Sequence, residues 1–141
     1  MYIFEFLFKL FIKLQIVVFR LSKGKAMGTM RGMPVLLLTT VGRKSGKQRT
    51  TPLMYIRAGD SYVVTASNNG KGRHPAWLSN LQVTPQVQIE VPGQRLEVQA
   101  EVATQAEQER RWPQLEAEAP FFDKYRQKTT RAIPMVLLNP R

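Results

Sequence analysis

Arg43, Lys44, Lys47 and Arg49 place four cations within seven residues, between an apolar run that begins at Pro34 and an extended run that begins at Gln48. The apolar run, Pro34-Val-Leu-Leu-Leu-Thr-Thr-Val, has β character and ends at Gly42; a turn with Gly42 and Gly46 carries Arg43, Lys44 and Lys47, so the segment predicts a β-hairpin with a basic tip. Guanidinium and ammonium groups on a stiff strand pair can face one way and hold phosphate or carboxylate oxygens in a set geometry, which makes this an anion site. The alternative is a solvated turn whose charges serve only solubility. Little else in the chain offers bond-making chemistry. With no cysteine there is no thiol catalysis, disulfide or thiolate-bound metal, and the single histidine, His74, leaves neither a multi-His metal site nor a Ser-His triad, so it receives no catalytic role.

The charge around the hairpin sharpens the reading. The chain has 141 residues, the length of one domain that can bury a core without disulfides, and a net charge of +11. That charge is uneven: Met1 to Ile89 holds thirteen Lys/Arg against Glu5 and Asp60, whereas Glu90 to Arg141 holds eight of each sign. Such an imbalance suits a polyanionic partner, whether an acidic-tailed cofactor, an anionic membrane surface or nucleic acid. Single-strand-binding barrels interleave aromatic side chains with their cations to stack bases. Between Gly42 and Thr51 there is none, so no nucleic acid is expected.

The elements that would position these cations follow from periodicity. Residues Tyr2 to Leu21 read as an amphipathic helix with Glu5, Lys9 and Lys13 at i, i+4 spacing and Arg20 near the same face; Lys9 and Lys13 cut its apolar stretch short of the ~20 residues that span a bilayer. No secretory signal pattern is present, so a cytoplasmic chain is expected. The helix either lies on the inner face of the membrane, cations to the headgroups, or packs on the domain or a second subunit as in a homodimer. Ser22 to Gly32 reads as a flexible basic linker, which divides the chain into residues 1–33 and a domain over 34–141. Strands are predicted near Val35–Val41, Gln48–Ile56 and Ser61–Ala66, forming an antiparallel meander, then near Gln86–Val91, Arg95–Ala103 and Ile133–Leu138. Pro75 should occupy the first position of a short helix reaching Leu81, whose N-terminus would point N–H groups at the Gly/Asn loop before it. Thr104 and Glu107 spell a capping box for a helix to Ala119, with a kink or new turn at Pro113, and Pro120 to Arg126 reads as a short aromatic helix. About six antiparallel strands with short flanking helices describe a small α+β barrel; without GxGxxG or GxxxxGK[ST], a Rossmann or P-loop nucleotide site has no support.

Three blocks, PVLLLTTVGRKSGKQRTTPL, SNNGKGRHPAWLSNLQVTP and WPQLEAEAPFFDKYRQKTTRAIPMVLL, resemble in order and spacing the deazaflavin-dependent nitroreductase and quinone reductase family, over essentially all of Pro34 to Arg141. The resemblance implies an FMN-binding-type split β-barrel and reduced coenzyme F420, an 8-hydroxy-5-deazaflavin, as hydride donor to a quinone or nitroaromatic acceptor. That coenzyme ends in a phosphate and an oligoglutamate tail, which suits the basic hairpin. Carried over position by position, the resemblance implies that Arg43, Lys44 and Arg49 hold the tail, with Lys47 a weaker contact. It further implies that Thr51, Pro52, Met54, Thr65, Ser67 and Asn68 line the coenzyme and that Ala76, Trp77 and Asn80 touch it from the short helix. Phe122 and Tyr125 would face the acceptor, with Tyr125 the proton donor. Relatives often carry Lys where Asn68 stands, a contact that Lys71 or Arg73 could replace. Ala119 and Phe122 stand where nitroimidazole-reducing relatives carry tyrosines, which argues against that activity. A split barrel that binds FMN or haem, or that only carries the deazaflavin, is the competing expectation.

Overall fold

A computed structural model describes residues 2–67, 74–128 and 133–141. In chain order the elements are α1 (Tyr2–Leu21), β1 (Thr29–Met30), β2 (Met33–Val41), β3 (Gln48–Met54), β4 (Ile56–Ala58), β5 (Ser61–Thr65), α2 (Ala76–Val83), β6 (Gln86–Val91), β7 (Gln94–Val102), α3 (Gln105–Glu118), α4 (Phe121–Lys128) and β8 (Met135–Pro140). The strands join antiparallel in the order β1-β2-β6-β7-β8-β5-β4, with β3 also paired to β2.

The two-residue period of the strands sorts their side chains onto two faces. Leu36 and Leu38 of β2, Val64 of β5, Ile89 of β6, Val98 of β7 and Val136 and Leu138 of β8 meet on the inner face, where Trp77, Leu78 and Leu81 of α2 cap them. Val63, Met135 and Leu137 project the other way and are covered by Trp112 and Leu115 of α3 and Phe122 of α4. Leu37 also points outward, but against Ile16 and Phe19 of α1. A strand buried on both faces must be apolar nearly throughout, which is why β2 carries the apolar run Val35 to Leu38 and β8 the run Met135 to Leu138.

Among the described residues, six of the eight strands correspond to those expected; β1 and β4 are short additions. The expected meander does not form. β3 pairs with β2 as far as Val35↔Met54, and one further bond joins the Tyr55 N–H to the Pro34 carbonyl (3.1 Å). The chain then transfers to β5, and what was expected as one strand from Gln48 to Ile56 is β3 followed by β4. β5 pairs with β8, not β3. The barrel is therefore split, and β3 stands at an edge, where Pro52 deprives no neighbouring strand of an N–H.

Further corrections are local. The stretch from Ser22 to Gly32, expected as a flexible linker, is bonded in place: the Gly24 N–H donates to Phe19 O (2.8 Å), Val35 N–H to Gly28 O (2.9 Å), and β1 pairs with β2. Pro113 starts no new turn, because α3 runs unbroken through it with Trp112 and Leu115 buried on either side. Pro75 is the N-cap of α2 and not its first residue, and β8 lies two residues later than expected. The Thr104–Glu107 capping box is present in both directions. Among the described residues no helix is long and apolar enough to cross a membrane.

Candidate functional site

The β2–β3 hairpin closes as its glycines require. Gly42 donates to Lys47 O and accepts from Gly46 N–H, both at 2.8 Å, while the Lys47 N–H donates to Ser45 Oγ (3.2 Å). A Cβ on Gly42 would lie 2.6 Å from Ser45 Oγ, and Gly46 has φ +71°, so side chains at either position would open the turn. The hairpin register sets Thr40 opposite Arg49 and Thr39 opposite Thr50, whose hydroxyls share a 2.8 Å hydrogen bond. Arg43, Lys44, Lys47 and Arg49 are all exposed.

Asn80 of α2 ties this tip to the core. Its Oδ1 accepts from both the backbone N–H (3.1 Å) and the guanidinium Nη1 (3.2 Å) of Arg43, and its Nδ2 donates to Thr40 Oγ1 (3.2 Å). At 4% exposed, Asn80 is committed to positioning the hairpin. Both acceptor directions of its amide oxygen are used.

Beside this junction lies a groove of about 760 Å³, within the size range of small-molecule sites. The hairpin lines it with Thr40, Gly42, Arg43, Lys44, Ser45, Gln48, Arg49, Thr50 and Thr51; α2 contributes Ala76, Trp77 and Asn80. The last wall is Lys13, Ile16, Val17 and Arg20 of α1. Among the described residues five cations border the groove and no carboxylate does. Among the described residues no acidic group lies within ion-pair distance of Lys13, Arg43, Lys44 or Arg49, and no cluster of side chains could hold a metal.

Of the residues implied by resemblance, Arg43, Lys44, Arg49, Thr51, Ala76, Trp77 and Asn80 come together in this groove. Pro52, Met54, Thr65, Ser67 and Lys47 do not line it; Met54 packs towards α3, and Ser67 is buried. Phe122, expected at the acceptor, is a core residue 4% exposed, stacked on Phe121 with ring centroids 4.9 Å apart. An apolar ring on the buried face of α4 gains more from the core than from solvent. Asn68, Lys71 and Arg73 lie outside the described residues, as does the side chain of Tyr125. The α1 wall was missed, although Lys13, Ile16, Val17 and Arg20 stand at i, i+3, i+4 and i+7, the signature of one helical face.

Arg20 closes that wall. Its Nε and Nη2 grip the Glu90 carboxylate of β6 at 3.0 and 2.9 Å, and Arg95 reaches it at 3.5 Å. Burial pushes the Glu90 carboxyl upward, but the Arg20 hydrogen bonds and the charges of Arg20 and Arg95 outweigh it and leave the group below its ordinary value. Arg20 is held above its own ordinary value chiefly by the same hydrogen bonds.

The curled antiparallel sheet, split between β3 and β4 and flanked by helices, with a cation-lined groove at one hairpin, defines a split β-barrel. A family model described as F420H(2)-dependent quinone reductase matches residues 11–140, and the chain belongs to that family. A Mycobacterium tuberculosis protein described as an F420H(2)-dependent quinone reductase is 35% identical over 134 residues, covering 92% of this chain and 90% of its own. The solved structure of an F420-H2 dependent reductase superposes with a TM-score of 0.69 at 33% identity, covering 75% of this chain and 94% of that one. Another, described as a domain-swapped dimer, gives 0.70 at 29% identity over 89% of this chain and 95% of that one.

Proposed function

We propose that the protein is an oxidoreductase that uses reduced coenzyme F420 to reduce a quinone, with nitroaromatic compounds as a further acceptor class. The observation that carries this reading is the groove itself: among the described residues, five bordering cations without a bordering carboxylate, next to the wall made by Trp77. The donor set fits the coenzyme, since charge-assisted contacts suit its phosphate and glutamate carboxylates, and the groove has room for a tricyclic ring. Bound in its reduced form, the 5-deazaflavin supplies a hydride from a ring carbon.

The chain's own residues orient and shield. Arg43, Lys44 and Arg49 hold the anionic end, and Asn80 holds Arg43. Trp77 and Ala76 close the ring end of the groove, excluding water from the transfer. Tyr125, on α4, is the candidate for protonating the reduced acceptor. Turnover should fall in Tyr125→Phe with coenzyme affinity unchanged; undiminished turnover would remove that role.

The acceptor is lipid-soluble if it is a quinone, and α1 offers a route to it. Ile3, Phe4, Phe6, Leu7, Phe8, Leu10 and Phe11 are all exposed, with Lys9 among them. Such a face suits the interface of an anionic bilayer from the cytoplasmic side. Sedimentation with phosphatidylglycerol vesicles but not phosphatidylcholine vesicles supports this contact. A concentration-dependent dimer that ignores both would assign the face to a second copy.

Fluorescence titration with F420, followed by mixing the reduced coenzyme with menadione and recording its reoxidation, tests the function. Saturable binding and enzyme-dependent reoxidation are expected. Binding of FMN or haem in preference to F420 would replace this reading with the competing one.

A further inference from the structure

We infer that α1 is part of the coenzyme site: Lys13 supplies a tail contact beyond those of the hairpin, and the Arg20–Glu90 pair is the clamp that holds Lys13 there. This rests on the coenzyme reading above and extends it to an element outside the barrel.

Three observations carry it. Lys13, Ile16, Val17 and Arg20 form one stripe of α1, and that stripe lines the groove. The neighbouring stripe, Ile12, Ile16 and Phe19, packs on Leu37, and Gln15 beside it is buried, so the helix is anchored from about Ile12 onward while the turns before it are exposed. Lys13 thus sits at the boundary, on the last turn held by the barrel. Among the groove cations Arg20 is neutralised by Glu90, whereas Lys13 has no acidic partner among the described residues.

The clamp is built to fix the helix rather than to bind ligand. Glu90 is 8% exposed on β6, and its strand partner is Leu37, the residue under Phe19. A carboxylate so buried requires its cations, and two hydrogen-bonded arms of Arg20 set both the rotation and the axial position of α1. Lys13, two turns earlier, inherits that position. The hairpin cations and Lys13 stand on different walls of one groove, so a polyanionic tail laid between them is held from two elements.

Equilibrium titrations with F420 and with the deazaflavin chromophore lacking phosphate and tail test this. Lys13→Ala should weaken F420 binding about five- to tenfold at low salt, leave chromophore binding unchanged and lose its effect at high salt; Lys13→Arg should restore affinity. Arg20→Gln should weaken F420 and not the chromophore, a split that loss of stability alone would not produce. Wild-type affinity for F420 in Lys13→Ala overturns the inference while leaving the enzyme reading intact. If the wild-type protein binds neither compound, the coenzyme reading falls and this inference with it.

Discussion

Arginine and lysine do different things on the two sides of this sheet. On the side of α3 and α4, guanidinium groups lie on aromatic rings: Arg126 over Trp112 at 4.6 Å and Arg31 over Phe121 at 4.8 Å. There the charge is part of the packing, with the stem laid along apolar surface. Around the groove, Lys13, Lys44 and Arg49 touch neither ring nor carboxylate among the described residues, and Arg43 is aimed by a neutral amide. A cation that the fold leaves without a counter-charge, in a concavity, is one whose partner comes from outside.

The contrast breaks if the groove cations prove dispensable. The double variant Arg43→Ala, Lys44→Ala should raise the F420 dissociation constant about a hundredfold or more, since each charge-assisted contact contributes ~1.5–3 kcal/mol; an unchanged constant would end the anchor account. Asn80→Ala should cost about 1–3 kcal/mol of stability by stranding Thr40 and the Arg43 N–H, and weaken F420 about tenfold through a loosened tip. Thermal melts and titration read the two effects separately, and tight binding by a destabilised variant would deny Asn80 its positioning role.

Smaller effects sharpen the comparison. Because the Glu90 carboxyl is held below its ordinary value, its contribution is complete above that value and is lost as pH falls through the lowered one. Limited proteolysis within α1 should therefore accelerate only in acid, and Glu90→Gln should remove that acid dependence. On the opposite side, Arg126→Ala should cost ~0.5–1 kcal/mol in a denaturant melt and leave F420 affinity unchanged. A loss of affinity there would erase the distinction between the two sides.

The six long strands, the capping box and the basic hairpin were legible because each rests on local chemistry: two-residue alternation, Thr104 three residues before Glu107, and turn glycines, one of them at positive φ. The transfer from β3 to β4 was not, since alternation continues through Tyr55 and no local signal marks where pairing with β2 stops. The docking of α1 left a trace that went unread. Glu90 interrupts an otherwise apolar strand end on the face opposite Ile89, and a buried carboxylate implies a cation brought from elsewhere. At the site, residue types identified the cations, while Asn80 as hairpin brace and Phe122 as core depend on which face each helix turns inward.

The central claim is that the hairpin cations receive the acidic end of the coenzyme. A crystal structure of the complex with F420 tests it most directly. Phosphate and glutamate oxygens within hydrogen-bond distance of Arg43, Lys44 and Arg49, with the ring towards Trp77, is the predicted result. A coenzyme bound elsewhere, its tail away from the β2–β3 tip, would contradict the account.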